Sequence, residues 1–479
     1  MNSIDEWVDQ LLSTDGRAGV SRKSFLRAAA VGAVSTIAAA CSTGKSTGKK
    51  GSSAPVSEAP TAGKPSSETV AASPTMKPQN TTNPEQPVKL EQWKAATERQ
   101  SGPTPTPMPP DKRVGYAIVG LGHLALEELM PAFAQCKKSK VVALVSGSPE
   151  KMLKVARQYG INEKSCYSYA TYDRLKDNPE VQVIYIVLPN SMHAEYTIRG
   201  AKAGKHILCE KPMANSAAEC QAMIDACRKA NRKLMVAYRI QYEPYNRLVR
   251  DMVRSNQFGR TKTIEAVNVQ NSDNPAHWRF KKALAGGGAL PDIGLYCLNT
   301  LRYLTGEEPT EVFAYQSSTP GDPRFKEVEE MVSWQMRFPS GIITNCLTHY
   351  GVHETRRYRV MAERGWIGLD PGFSYSGLKM EVAFAEKKAE RREAVSLPDV
   401  NQFAAEIDHM SECVLTDRVP FTPGEEGLQD QRIMEAIYKS AKTGRPVKVP
   451  SAVKATRGKG ATLATAKLDQ FRGPLPKNE

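Results

Sequence analysis

The chain has 479 residues, a formal net charge of +14, and 40% apolar against 24% charged residues, enough for two folded domains with an ordinary core plus accessory segments. Much of the basic excess lies where no core is expected, at Lys45, Lys49 and Lys50 and at Lys454, Arg457, Lys459 and Lys467. With no zinc-finger spacing and no aromatic-plus-basic stretch, this charge does not point to nucleic acid. The nine cysteines form no C-x-x-C pair and no metal-like cluster, so they read as small buried hydrophobes and no metal site is expected.

Residues 1–41 read as an export signal. Ser21-Arg22-Lys23-Ser24-Phe25-Leu26-Arg27 resembles the twin-arginine motif, with Lys23 in place of the second arginine. The small-residue apolar run Ala28 to Ala40 is too short to span a bilayer and suits a signal core. Ala38-Ala39-Ala40-Cys41 resembles a lipoprotein cleavage site, with Ala38 where leucine is usual. A lipidated Cys41 would tether the protein to a membrane facing the periplasm; the alternative is a short amphiphilic helix with an incidental cysteine. Residues 42–112 are rich in Ser, Thr, Pro, Gly, Ala and Lys, too poor in apolar surface to offset their ordering entropy, and read as a tether. Its proline-rich end, Gly102 to Pro110, is expected to be extended and could lie on a neighbouring subunit.

Residues 113–240 read as a dinucleotide-binding domain. The apolar run Val114 to Val119 predicts a buried strand ending in Gly120-Leu121-Gly122-His123-Leu124-Ala125. Gly120 allows a tight turn, Gly122 lets the backbone approach a pyrophosphate, and Ala125 packs the helix whose N-terminus faces the phosphates. Lys140 to Val145 is the second strand. Where NAD enzymes carry an acidic residue for the ribose, this chain has Ser146-Gly147-Ser148-Pro149-Glu150-Lys151, which favours the 2′-phosphate of NADP. The competing reading has Glu150 bend back to the ribose. Val181 to Leu188, His206 to Cys209 and Lys233 to Ala237 predict further strands, with Pro189, Asn190 and His193 beyond the first and Glu210-Lys211-Pro212 beyond the second.

Residues 241–450 read as an α+β domain for substrate and oligomerisation. Thr263 to Val269, Glu311 to Tyr315, Val332 to Phe338, Ile342 to Leu347 and Arg357 to Ala362 predict a large open, mainly antiparallel sheet. Helices over Gln402 to Leu415 and Gly424 to Thr443 are expected to return to the first domain, and residues 451–479 form a basic tail. The fold class is therefore α/β, an N-terminal Rossmann domain followed by this α+β domain. Within Gly286-Gly287-Gly288-Ala289-Leu290-Pro291-Asp292-Ile293-Gly294-Leu295-Tyr296, Asp292 and Tyr296 lie four apart, on one face of a helix starting after the glycines. Lysine, aspartate and tyrosine beside a nicotinamide can oxidise an alcohol.

From about Pro107 to Val449 the chain resembles the Gfo/Idh/MocA family of oxidoreductases, and in particular its glucose–fructose oxidoreductase branch. The likeness rests on Met108 to Arg113 running into Gly115 to Gly122, on Leu188-Pro189-Asn190-Ser191-Met192-His193-Ala194-Glu195, on Cys209-Glu210-Lys211-Pro212-Met213-Ala214, on Leu284-Ala285-Gly286-Gly287-Gly288 and on Pro423-Gly424-Glu425-Glu426-Gly427. Most of the family has histidine where this chain has Tyr296; tyrosine there marks the named branch and some relatives. The resemblance implies Lys211, Asp292 and Tyr296 as the catalytic group and Ser146 and Lys151 as the 2′-phosphate site. It also implies that Tyr169, Glu210, Arg239, Trp278 and Arg279 line the cofactor, joining Gly120, Leu121, Gly122, Gly147, Leu188, Pro189, Asn190 and His193. Export by the twin-arginine route, tightly held NADP and a homo-oligomer follow from the same resemblance.

The expected reaction takes a hydride from C1 of an aldose, giving a lactone, with Tyr296 receiving the hydroxyl proton. A free phenol titrates near pH 10, so a cation is needed beside it; Lys211 is expected to supply it, with Asp292 orienting Lys211 or binding the sugar. Outside the cytoplasm no NADP pool is at hand, so the same site would regenerate the cofactor with a second, fructose-like sugar carbonyl. An NAD-dependent glycosidase of the same fold and a non-catalytic sugar-binding protein are the alternatives.

Overall fold

The computed structural model describes residues 109–450, except 387 and 388, and residue 452. The expectations for the export signal, Cys41, most of the tether and the basic tail lie outside the described residues.

Six strands form the first sheet: β1 (Val114–Val119), β2 (Ser139–Val145), β3 (Cys166–Tyr167), β4 (Val183–Ile186), β5 (His206–Glu210) and β6 (Leu234–Ala237). All pair in parallel, in the order β3-β2-β1-β4-β5-β6. The order reverses between β1 and β4, and at such a switch point the carboxyl ends of the strands diverge to leave a crevice. β1 and β4 are buried throughout, as parallel strands covered on both faces must be, which is why they read as unbroken apolar runs. β3, two residues long, was too short to leave a pattern.

The second sheet has nine strands: β7 (Thr261–Asn271), β8 (Glu311–Ser317), β9 (Met331–Arg337), β10 (Ile343–His349), β11 (Gly351–Ala362), β12 (Gly365–Leu369), β13 (Met380–Glu386), β14 (Ala389–Val395) and β15 (Val447–Lys448). Their order is β14-β13-β12-β11-β7-β10-β9-β8-β15, and only β7 with β10 is parallel. Burial alternates along the strands: Val332, Trp334 and Met336 of β9 point into the core while Gln335 and Arg337 face out, the signature of a sheet packed on one side. The helices Leu295–Thr305 and Gly424–Thr443 cover the packed face.

Helix Gln402–Leu415 does return to the first sheet: the buried Tyr116 hydroxyl of β1 donates to Ile407 O at 2.9 Å, and Asp408 accepts from the backbone N–H groups of Lys137 and Lys138. Gly424–Thr443 touches β6 and the helix Ala217–Lys229 as well as β8, so it bridges the two sheets. At its start Arg302, fully buried, pairs with Glu308, Glu426 and Asp430. This ties Leu295–Thr305 to Gly424–Thr443 by charge as well as by packing. Eight cysteines lie among the described residues; all are free and all but Cys166 are buried. Burial pushes the Cys227 thiol up to about 12, so it packs as a hydrophobe rather than reacting.

Candidate active site

The crevice has two halves. In the first, Gly120 ends β1 at φ +97°, and a Cβ there would sit 2.2 Å from the Val187 carbonyl oxygen, so the turn accepts no other residue. Gly122 is the opposite case: nothing lies within 4 Å of where its Cβ would be. That open, exposed backbone, followed by the helical run Leu124–Leu129 into Met130–Gln135, fits a dinucleotide pyrophosphate. Leu121 and Ala125 are buried beneath it. At the end of β2, Ser146 Oγ accepts from Ser148 N, and Gly147 lies against the Tyr169 ring. Lys151 Nζ reaches back to Leu121 O at 3.1 Å, so its charge hangs beside the glycine turn, while Glu150 is exposed on the helix Pro149–Gln158.

The second half is a charged hub. Asp292 lies in the helical turn Leu290–Gly294, which runs straight into Leu295–Thr305, and Tyr296 is one turn further on. Asp292 Oδ1 is 3.4 Å from Lys211 Nζ, which also donates to the Asp292 carbonyl at 2.8 Å. Asp292 Oδ2 accepts from Arg279 Nε at 2.9 Å and from the Tyr350 hydroxyl at 2.6 Å. Burial alone would raise the Asp292 carboxyl, but Arg279, Lys211 and the Tyr350 hydrogen bond together hold it well below the usual carboxylate range. It is a fixed anion that orients Lys211, not a group poised to exchange protons. Tyr296 is half-buried; Lys211 Nζ lies 4.6 Å from its ring centroid, and its hydroxyl accepts from Arg239 Nε at 3.1 Å.

The glycine run before this helix serves packing. A Cβ on Gly288 would lie 1.9 Å from Glu329 O. The Glu329 carboxyl accepts from the Gly288 and Leu290 N–H groups and from the Tyr438 hydroxyl, at the start of the helical run that carries Asp292 and Tyr296.

The structure brings together Lys211, Asp292, Tyr296, Arg279 and Arg239, with Trp278 stacked on Arg279. His193, Glu210, Arg239 and Asn190, expected on the cofactor surface, have buried side chains. His193 is fully buried, with Nε2 at 2.8 Å from Leu188 O and Nδ1 at 2.9 Å from Pro212 O. Burial holds its imidazole below the ordinary value, and the ring sits between the Leu188-Pro189 turn and the Lys211-Pro212 turn. Glu210 points under the sheet and accepts from the Tyr185 hydroxyl at 2.7 Å. Arg239 is buried behind Tyr296, against the Tyr375 ring. Asn190 is also buried and bonds Ala285 O, joining the loop after β4 to the glycine run. Motif adjacency placed these residues near the crevice but could not say which way each side chain turns. Tyr350, Glu329 and Gln402 were missed altogether: none sits in a motif, and each reaches the site through sheet or helix contacts made far along the chain.

A small cavity of about 230 Å³, counting its open mouth, lies behind Tyr296 between Lys211, Tyr238, Leu295 and Asn299. Among the described residues no helix is long and apolar enough to cross a membrane.

Comparison with known proteins fits this geometry. Residues 114–238 match the family described as "Oxidoreductase family, NAD-binding Rossmann fold", and residues 246–368 match its "GFO/IDH/MocA C-terminal domain". The crystal structure of an aldose–aldose oxidoreductase from Caulobacter crescentus superposes with a TM-score of 0.68 at 48% identity, covering 70% of this chain and all of that one. A D-xylose 1-dehydrogenase [NADP(+)] from Haloarcula marismortui is 28% identical over 357 residues, 71% of this chain and 94% of its own. A 1,5-anhydro-D-fructose reductase from Ensifer adhaerens is 26% identical over 341 residues, 70% of this chain and 98% of its own. With both domains matched and the nucleotide crevice in place, the chain belongs to the Gfo/Idh/MocA family of oxidoreductases.

Proposed function

We propose that the protein oxidises the C1 hydroxyl of an aldose to a lactone and returns the hydride to a second sugar carbonyl, holding NADP(H) throughout. The observation that carries this reading is Tyr296 at the crevice, its ring face against the Lys211 ammonium and its hydroxyl accepting from Arg239 Nε, with the locked Asp292 carboxylate on Lys211. The aldose–aldose oxidoreductase and the NADP-dependent xylose dehydrogenase among the relatives support sugars as substrates.

The nicotinamide, when bound, supplies the hydride acceptor. Gly120, Leu121 and Gly122 would hold its pyrophosphate, and Ser146 and Lys151 the 2′-phosphate. Tyr296, as the phenolate, takes the proton of the sugar O1 hydroxyl while the C1 hydrogen departs with its electron pair, leaving the C1–O1 carbonyl of the lactone. In the return half-reaction the same phenol gives its proton to the oxygen of the second carbonyl. Lys211, held by Asp292, places a positive charge where O1 gains negative character.

We also propose export of the folded protein by the twin-arginine route and a homo-oligomer. The buried, unpaired thiols suit folding in a reducing compartment. The exposed Tyr315 and Ile343 on the uncovered sheet face suit contact between copies.

The test is spectral. Purified, desalted protein should retain a nicotinamide signal, with the reduced-cofactor band rising on addition of glucose and falling on addition of fructose. A retained signal that answers no aldose would overturn the reading; hydrolysis of an aryl glycoside instead would favour a glycosidase.

A further inference from the structure

Arg239 is 4% exposed, and among the described residues no carboxylate pairs with it. A buried guanidinium with no salt bridge is costly, so the use of its N–H groups is informative. Nη1 donates to Gln402 Oε1 at 2.7 Å and Ser374 O at 3.1 Å, and Nη2 donates to Phe373 O at 2.6 Å. These acceptors are neutral and fixed. The remaining bond runs from Nε to the Tyr296 hydroxyl at 3.1 Å, and that oxygen is the one acceptor of the set able to take on a full negative charge.

The rigid fork holds Arg239 in one orientation, and the ring centroids of Tyr296 and Tyr375 lie 4.7 and 4.4 Å from it. Because the tyrosine oxygen accepts from Nε, its own O–H is free to point into the crevice. Lys211 is differently committed: both its hydrogen bonds go to Asp292, and it meets Tyr296 only at the ring face.

Resting on the reaction proposed above, we infer that Arg239, rather than Lys211, is the cation that stabilises the Tyr296 oxyanion, and that Gln402 is the positioning residue that aims it. Three carboxyl groups face the guanidinium: Glu210 on β5, Glu243 before the helix Pro244–Arg254, and Glu406 one turn beyond Gln402. Glu243 caps its own helix, and Glu210 is tied to Tyr185. Glu406 has neither oxygen hydrogen-bonded, and burial, reinforced by Glu210, pushes its carboxyl well above the ordinary range. None of these three carboxyls accepts a hydrogen bond from Arg239; among the described residues its one bond to an ionisable group is the one to Tyr296.

The experiment follows Tyr296 directly, in full-length protein labelled with carbon-13 at tyrosine Cζ and assigned with Tyr296→Phe. In Arg239→Gln the pH at which the Tyr296 phenolate appears should rise by about one to two units, the scale of removing a neighbouring opposite charge. The acid limb of the kcat/KM profile for aldose oxidation should move with it. Gln402→Leu keeps the arginine and should give a smaller shift in the same direction; it carries the test if Arg239→Gln does not fold. Lys211→Met should lower the rate with a smaller phenolate shift than Arg239→Gln. An unmoved titration in both Arg239→Gln and Gln402→Leu, or a larger shift in Lys211→Met, would overturn the inference. Since the titration needs no substrate, failure of the sugar reaction would leave this reading testable.

Discussion

The two halves of the crevice solve opposite problems. The glycine turn works by what it lacks: Gly122 has nothing near its missing side chain, and the surface it offers is mostly backbone. The Lys211–Asp292–Tyr296 half works by saturation, with both Asp292 oxygens engaged and each cation held by a named partner. A ligand that is retained needs room and N–H groups, whereas a proton transfer needs charges that do not move. The two halves should therefore fail independently.

The largest expected effect breaks the charged half alone. Tyr296→Phe should cut the rate of aldose oxidation by about 10²–10⁴, while the desalted protein keeps its nicotinamide signal. Asp292→Asn attacks the same half through its anion and leaves Lys211 and Arg279 facing each other; a loss of roughly 3–5 kcal/mol is expected on breaking such a buried pairing, read by denaturant unfolding. Its sign with pH is definite. The native Asp292 carboxyl lies below its ordinary value of 3.8, so its contribution is present above that pH and fades as the pH falls through the lower native value. The variant should lack that acid-side loss. Gly122→Val attacks the other half: the protein should fold, since the space is open, but lose its cofactor on desalting, and addition of NADP should not restore tight retention. Lys151→Ala sharpens the contrast most gently, by removing the ammonium beside the glycine turn; on the proposed function, discrimination of NADP over NAD should fall about tenfold, near 1.4 kcal/mol, measured by competition binding.

What the sequence disclosed follows the same division. The parallel sheet is written in contiguous apolar runs, so β1, β2 and β5 were legible to within a residue or so. The Asp292–Tyr296 spacing was equally plain because helical geometry alone puts the two on one face. The outer strands of the second sheet were not. β14 reads Ala-Glu-Arg-Arg-Glu-Ala-Val, a composition poor in strand formers, and its conformation comes from pairing with β13. Tyr350 and Gln402 reach the site only because distant segments pack there, and the motif that holds Arg239 gives its place without the direction of its side chain.

The shielded thiols of the folded region have a practical consequence. With seven of the eight cysteines among the described residues buried, a thiol reagent meets little to modify in this region until it opens, and then meets cysteines from Cys136, before the second strand of the first sheet, to Cys346 in the second sheet. The native protein thus carries its own set of opening reporters, and the order in which those sulfurs become labelled would chart which layer comes apart first.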